Sequence, residues 1–258
     1  MALARADLES LLRARQLDRT LTTALPPVDP RDEHALAPSG IRALDARLGG
    51  GFPRGQLSEV IGARSSGRTS LLLQMMAAAT ARGELVALVD ALDMLDVESA
   101  AAAGVDLARL LWIRGHLVTN QRMARELNQR AIEQAIRAFT LVLQAGNFGL
   151  VVFDVAEAPA DAVRRLPFTT WLRLQRMVEG SQTACVLIGT EPMARSSAGL
   201  TLKCGLRIAD CGLDCGLPTT GGRRFHGALF DGLDVQARIV RARAREQEEA
   251  CVALSTSA

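Results

Sequence analysis

The residues from Gly62 to Ser70 read Gly-Ala-Arg-Ser-Ser-Gly-Arg-Thr-Ser, the G-x4-G-[KR]-[ST] spacing of a loop that wraps a phosphate group. Gly62, Ser65, Ser66 and Gly67 let the backbone curl tightly so that successive N–H groups face inward. A helix that starts at Arg68, Thr69 and Ser70 adds partial positive charge at the same point. Thr69 is placed to offer its hydroxyl to Mg2+. Arg68 departs from the motif's lysine: a guanidinium is longer and planar and prefers a bidentate approach, so binding is expected to survive better than catalysis. The acidic partner of such a site stands at the end of a buried strand, and Gly149-Leu150-Val151-Val152-Phe153-Asp154 supplies Asp154, expected to hold Mg2+ through water. The plainer alternatives are a strand-to-helix turn for the loop and a cap or turn residue for Asp154.

Positioning these groups requires strands that end where the chemistry begins. Short apolar runs at Leu57 to Ile61, Leu85 to Val89, Leu110 to Ile113, Leu150 to Phe153 and Ala184 to Ile188 read as buried strands. Between them, Thr69 to Arg82 and Thr119 to Gln144 carry helical apolar stripes. The alternation predicts an α/β core with a mostly parallel central sheet flanked by helices. Leu206 to Ala209 and Val235 to Ala242 read as late strands. Residues 1–24 read as an amphipathic helix with Leu8, Leu11 and Leu12 on one face, a docking segment for a second copy or another protein. A proline-rich linker is expected over 25–38, the core over 39–243, and a flexible charged tail over 244–258.

The chain has 258 residues, 48% of them hydrophobic, but no apolar run reaches the roughly 20 residues of a membrane-spanning helix. Its first residues lack a secretory pattern, so a soluble, cytoplasmic protein is expected. Five cysteines then read as reduced thiols, and Cys204, Cys211 and Cys215 lack the paired C-x2-C of a zinc site. A formal charge of +2 is too small to imply nucleic-acid binding by itself, so DNA contact is expected to be weak or indirect. Lys203 is the only lysine, which weakens any argument from a single lysine-to-arginine exchange.

Pro53-x-Gly55, Glu59-Val60-Ile61-Gly62, Ser65-Ser66-Gly67, Leu71-Leu72-Leu73-Gln74, the run Val89 to Asp96 and the run Gly104 to Leu111 together resemble the ATP-binding core of the RecA family. The resemblance covers about Ser39 to Ile188 and implies ATP and Mg2+ as cofactors. It also marks what is missing. RecA-like enzymes place a water-activating glutamate two residues after the aspartate ending the second strand, where this chain has Leu92. Asp93 is one position out of register and a weak substitute. The polar sensor at the end of the Ala184 to Ile188 strand falls on Gly189-Thr190, with Glu191 next as another weak catalytic candidate. Ser99 replaces an adenine-stacking tyrosine, while Asp96 is expected to accept a hydrogen bond from the adenine amino group.

An eroded RecA-like core with the helix Leu11-Leu12-Arg13-Ala14-Arg15 and the entry Gly40-Ile41-x-x-Leu44-Asp45-x-x-Leu48-Gly49-Gly50-Gly51 is most similar to the ImuA family. That resemblance implies an accessory role in damage-induced mutagenesis beside RecA and an ImuB-type inactive Y-family polymerase homologue, with a nucleotide site that turns over slowly. Two alternatives stand: an active DNA-dependent ATPase of the recombinase class, and a protein-binding division inhibitor resembling SulA, against which the intact loop argues. Trp171 and Trp112 are expected in the core, His116 and His226 have no ligand-spaced neighbours, and Arg223-Arg224 reads as a solvated turn.

Overall fold

The computed structural model describes residues 36–115, 124–206, 233–242 and 251–256. A two-residue ribbon opens it, with β1 (Leu36–Ala37) antiparallel to β2 (Phe52–Pro53), the two separated by helix α1 (Arg42–Arg47). The pairing forces Gly51, at φ 141°, so close that a Cβ there would lie 2.2 Å from the Ala37 carbonyl oxygen.

Next come β3 (Leu57–Gly62), α2 (Arg68–Ala81), β4 (Val86–Asp90), α3 (Val97–Ala102), β5 (Leu110–Arg114), α4 (Ala124–Ala145) and β6 (Leu150–Asp154). The short helices α5 (Ala160–Arg164) and α6 (Phe168–Val178) lead to β7 (Ala184–Gly189), β8 (Ala198–Leu206), β9 (Leu233–Ala242) and β10 (Cys251–Thr256). The main sheet has the order β10-β9-β8-β3-β7-β6-β4-β5. From β8 to β5 its neighbours run parallel, and the β8-β9 and β9-β10 pairs are antiparallel.

Because side chains alternate across a strand, the central strands feed two cores. Val60, Val86, Leu88, Val152 and Val186 pack with Leu72 and Met76 of α2 on one face. Ala87, Val89, Val151, Phe153 and Leu187 pack with Ile132 and Phe139 of α4 and Trp171 of α6 on the other. Burial on both faces explains why these strands are continuous apolar runs, and the α/β expectation holds.

At the bottom edge, Arg54 Nη1 donates to the carbonyls of Gly149 and Gln182 while its Nη2 pairs with Glu84 at 2.7 Å. The N-terminal ends of β6 and β7 are thereby tied together, leaving the opposite ends to carry the site.

Several expectations are corrected. The late strand read at Leu206 to Ala209 falls, past Leu206, outside the described residues, and a strand not read from sequence, β8, precedes it over Ala198–Leu206, where Leu200, Leu202 and Cys204 alternate into the core. Residues 251–256, read as flexible tail, form β10 in register with β9, where a β-branched and apolar run completes the ladder. The linker read to residue 38 ends earlier, because Leu36–Ala37 already pairs with β2. Trp171 is core, whereas Trp112 is only half-buried because β5 is an edge strand and Arg114 covers the indole at 4.5 Å. The docking segment 1–24, His116, Cys211, Cys215, Arg223, Arg224 and His226 lie outside the described residues. Among the described residues, no helix is long and apolar enough to cross a membrane and no cluster of three metal-binding side chains occurs.

Candidate phosphate site

The site is built where β3 ends and α2 begins. Gly62 must be glycine, since a Cβ would lie 2.4 Å from Ser66 Oγ and 2.6 Å from the Cys204 carbonyl oxygen. Ser65 and Gly67 take left-handed φ values of 59° and 87°, which curl the loop back on itself. Gly67 is the N-cap of α2 and provides no side-chain cap, so the first N–H groups of the helix have no side-chain partner from that residue. Ser66 is 4% exposed and its hydroxyl has no hydrogen-bond partner among the described residues. An orphaned buried hydroxyl beside an uncapped helix start is a polar cradle of the kind a phosphate group fits. Thr69 is exposed and Ser70 half-buried on the first turn of α2.

Arg68 does not extend along the outside of this loop. Only 4% exposed, it turns inward, and its Nη1 donates to the carbonyl oxygens of Gly62 at 2.7 Å and Gly189 at 2.9 Å. One guanidinium nitrogen thus joins the ends of β3 and β7. Its Nη2 lies 3.6 Å from Glu157, whose other carboxylate oxygen lies 3.5 Å from Arg64.

The acidic side is formed by β4 and β6. Asp154 accepts the Ala156 N–H, and burial, with Asp90 and Glu157 adding repulsion against the pull of Arg68, pushes its carboxyl up to about 6. A cation at this end would favour the ionised form and so couple binding to proton loss. Asp90, nearly fully buried, is committed to its own loop: one oxygen accepts from Met94 N–H, Leu95 N–H and the Trp112 indole.

The remaining candidates are not gathered at the phosphate loop. Leu92 is buried in the apolar cluster beneath α4 and α6. Asp93, at φ 60°, is forked to Arg114 through two 2.7 Å hydrogen bonds, which uses both oxygens and leaves a poor base. Glu191 is exposed and paired with Arg164 at the mouth of a cavity of about 240 Å3 lined by Val155, Phe168, Trp171, Pro192 and Met193. Asp96 caps α3, with Oδ2 accepting from both the amide and the hydroxyl of Ser99, and those bonds hold its carboxyl below the usual range.

Two carboxylates were missed by sequence reasoning. Fully buried Glu59 accepts from Met193 N–H and Ala194 N–H at 2.7 Å and from the Thr201 hydroxyl at 3.0 Å, fixing the loop after β7. Glu157 stands three residues past Asp154, and a second acid so close to a strand end was its only signal.

The RecA N-terminal domain family model matches residues 29–159, half of the chain. Among curated relatives, RecA of Acholeplasma laidlawii is 39% identical over 123 residues, covering 47% of this chain and 33% of that protein. RecA of Clavibacter michiganensis is 37% identical over 131 residues, 50% of this chain and 32% of that protein. RecA of Streptomyces avermitilis is 36% identical over 130 residues, 50% and 31% respectively. The chain spans about a third of the length of these relatives. With the phosphate loop and strands β3, β4 and β6 of the candidate site inside the matched half, the chain belongs to the RecA N-terminal domain family.

Proposed function

We propose that this protein is a RecA-like accessory factor of damage-induced mutagenesis, akin to the ImuA family, whose phosphate loop binds Mg-ATP and hydrolyses it very slowly. The observation that carries the reading is a kept cradle beside a lost base: Ser66 presents an unpartnered hydroxyl inside the loop, while Leu92 is buried apolar surface. Bound Mg-ATP would supply a phosphoryl group and a binding free energy that the fold can convert into a choice of conformation. Gly62, Ser65, Ser66 and Gly67 would surround the phosphates with N–H groups. Thr69 and Ser70 would offer hydroxyls, and Asp154 would take the metal through water. Leu92 cannot accept a proton, which removes a contribution of roughly 100- to 10,000-fold. Arg68 holds two carbonyls through Nη1 and so has only Nη2 to turn toward a phosphoryl oxygen.

On this reading function lies in contacts, with an ImuB-type polymerase homologue and RecA as partners, residues 1–24 as a docking segment that also serves self-association, and DNA touched weakly or indirectly. Calorimetry with Mg-ATP, turnover with and without single-stranded DNA, and a pull-down from DNA-damaged cells test it together. Measurable binding, negligible turnover and recovery of a translesion polymerase component support the proposal; recombinase-like turnover overturns it. The likeness to RecA proteins favours the second reading, a DNA-dependent ATPase, and strong stimulation by DNA would establish it.

A further inference from the structure

We infer that Glu157 is an internal anion of the phosphate loop, one that occupies the loop's two guanidinium groups and must yield them when a polyphosphate binds, thereby setting the affinity and charge preference of the site. The inference rests on the phosphate-site reading above. Its geometry is specific. The strand β6 ends at Asp154, the Ala158 N–H closes a turn onto the Val155 carbonyl, and that turn brings Glu157 back over the loop. One carboxylate oxygen then faces Arg68 at 3.6 Å and the other faces Arg64 at 3.5 Å, so a single side chain bridges the buried and the exposed cation.

These contacts differ in kind from the structural ion pairs of the same protein. The Arg114–Asp93 fork has two hydrogen bonds of 2.7 Å, and Arg54–Glu84 closes at 2.7 Å. Among the described residues Glu157 makes only long Coulombic contacts, and Arg64 has 79% of its side chain exposed. A loosely held carboxylate is easily exchanged for another anion, because little hydrogen-bond energy is lost on exchange. Arg68 keeps its two carbonyl partners through Nη1 whether or not Glu157 stays, so its Nη2 is the group released to an incoming oxyanion. The site therefore resists polyphosphate by charge: Glu157, Asp154 and Asp90 crowd the same end of the sheet, and a ligand with more negative charge meets more repulsion.

The test is calorimetry on the full chain with Mg-ATP, Mg-ADP and inorganic triphosphate, comparing wild type with Glu157→Gln and Glu157→Ala. Both substitutions should tighten Mg-ATP about three- to tenfold at low salt, Mg-ADP by less, with the gain shrinking as ionic strength rises. Thermal melting checks that each variant is folded; Glu157 has 29% of its side chain exposed, so Gln is readily accommodated. Equal affinities for wild type and both variants overturn the inference and leave the phosphate-site reading standing. Weaker binding in the variants also overturns it, since Glu157 would then hold Arg68 in a binding posture. No binding of any of the three ligands by wild type or variant overturns both.

Discussion

Asp90 and Asp154 stand opposite each other in register at the C-terminal ends of the adjacent parallel strands β4 and β6. The first is buried and spent on its own loop, and the second sits at the mouth with its carboxyl raised. Burial is the main cause of the raised Asp154 carboxyl, and the charge of Asp90 beside it adds to the effect.

Asp154→Asn should therefore stabilise the metal-free protein at neutral pH. Folding raises this carboxyl from 3.8 to about 6, so the folded chain holds the proton more tightly than the unfolded one. Stability declines as pH rises through that window and stays flat above it. Asn keeps the acceptor for the Ala156 N–H and removes the charge; the gain at pH 7 should be on the order of 1–3 kcal/mol and vanish below pH 4. Melting curves at both pH values decide, and a lower melting temperature for the variant at pH 7 in chelator would refute the account. Mg2+ should raise the melting temperature of wild type and not of Asp154→Asn.

Glu84 titrates in the opposite sense. Burial alone would raise its carboxyl, but Arg82 and Arg54 outweigh burial and leave it below 4.5. Its contribution is present above that ordinary value and is lost as pH falls through the lower folded value. Glu84→Gln should cost about 2–4 kcal/mol at pH 7, because Arg54 loses its charged partner, and should flatten the acid limb of the stability curve below pH 4.5. Urea unfolding at a series of pH values reads both effects; an unchanged acid limb counts against the ion-pair explanation.

Glu59 is a buried carboxylate whose three acceptor contacts hold the loop between β7 and β8. Glu59→Leu leaves the Met193 and Ala194 N–H groups unpaired and should destabilise by about 3 kcal/mol, with faster hydrogen exchange at those two amides than at β3 itself. Uniform loss of protection across the sheet would show instead that Glu59 acts globally.

How far the sequence carried this picture follows from range. Strands β3, β4, β6 and β7 were legible because burial on both faces writes a continuous apolar run, and the phosphate loop was legible because its spacing is local. Strand β10 was not, since residues 251–256 earn their place only by pairing with β9. Glu157 was missed for a related reason: its meaning comes from Arg68, 89 positions earlier, which no local pattern connects. Asp93 looked like a displaced base until Arg114, brought alongside by the β4-β5 pairing, was seen to occupy it.

Restoring the missing base would place a carboxyl inside the core. Leu92 is 5% exposed and belongs to the cluster that includes Val89, Ile136, Phe139 and Val155. A glutamate there has no cation among those neighbours, so its charge is costly to bury and its proton will be retained to higher pH. Leu92→Glu should destabilise by about 2–4 kcal/mol at pH 7 and by less at pH 5, where the carboxyl is neutral. Leu92→Gln, which has the shape without the charge, should lose stability equally at both pH values. Any gain in ATP turnover from Leu92→Glu with Arg68→Lys must be measured below this lowered melting temperature. A Leu92→Glu protein as stable as wild type at pH 7 would show that the loop can turn the side chain outward; the loss of the base would then be a one-residue change rather than one the core has absorbed.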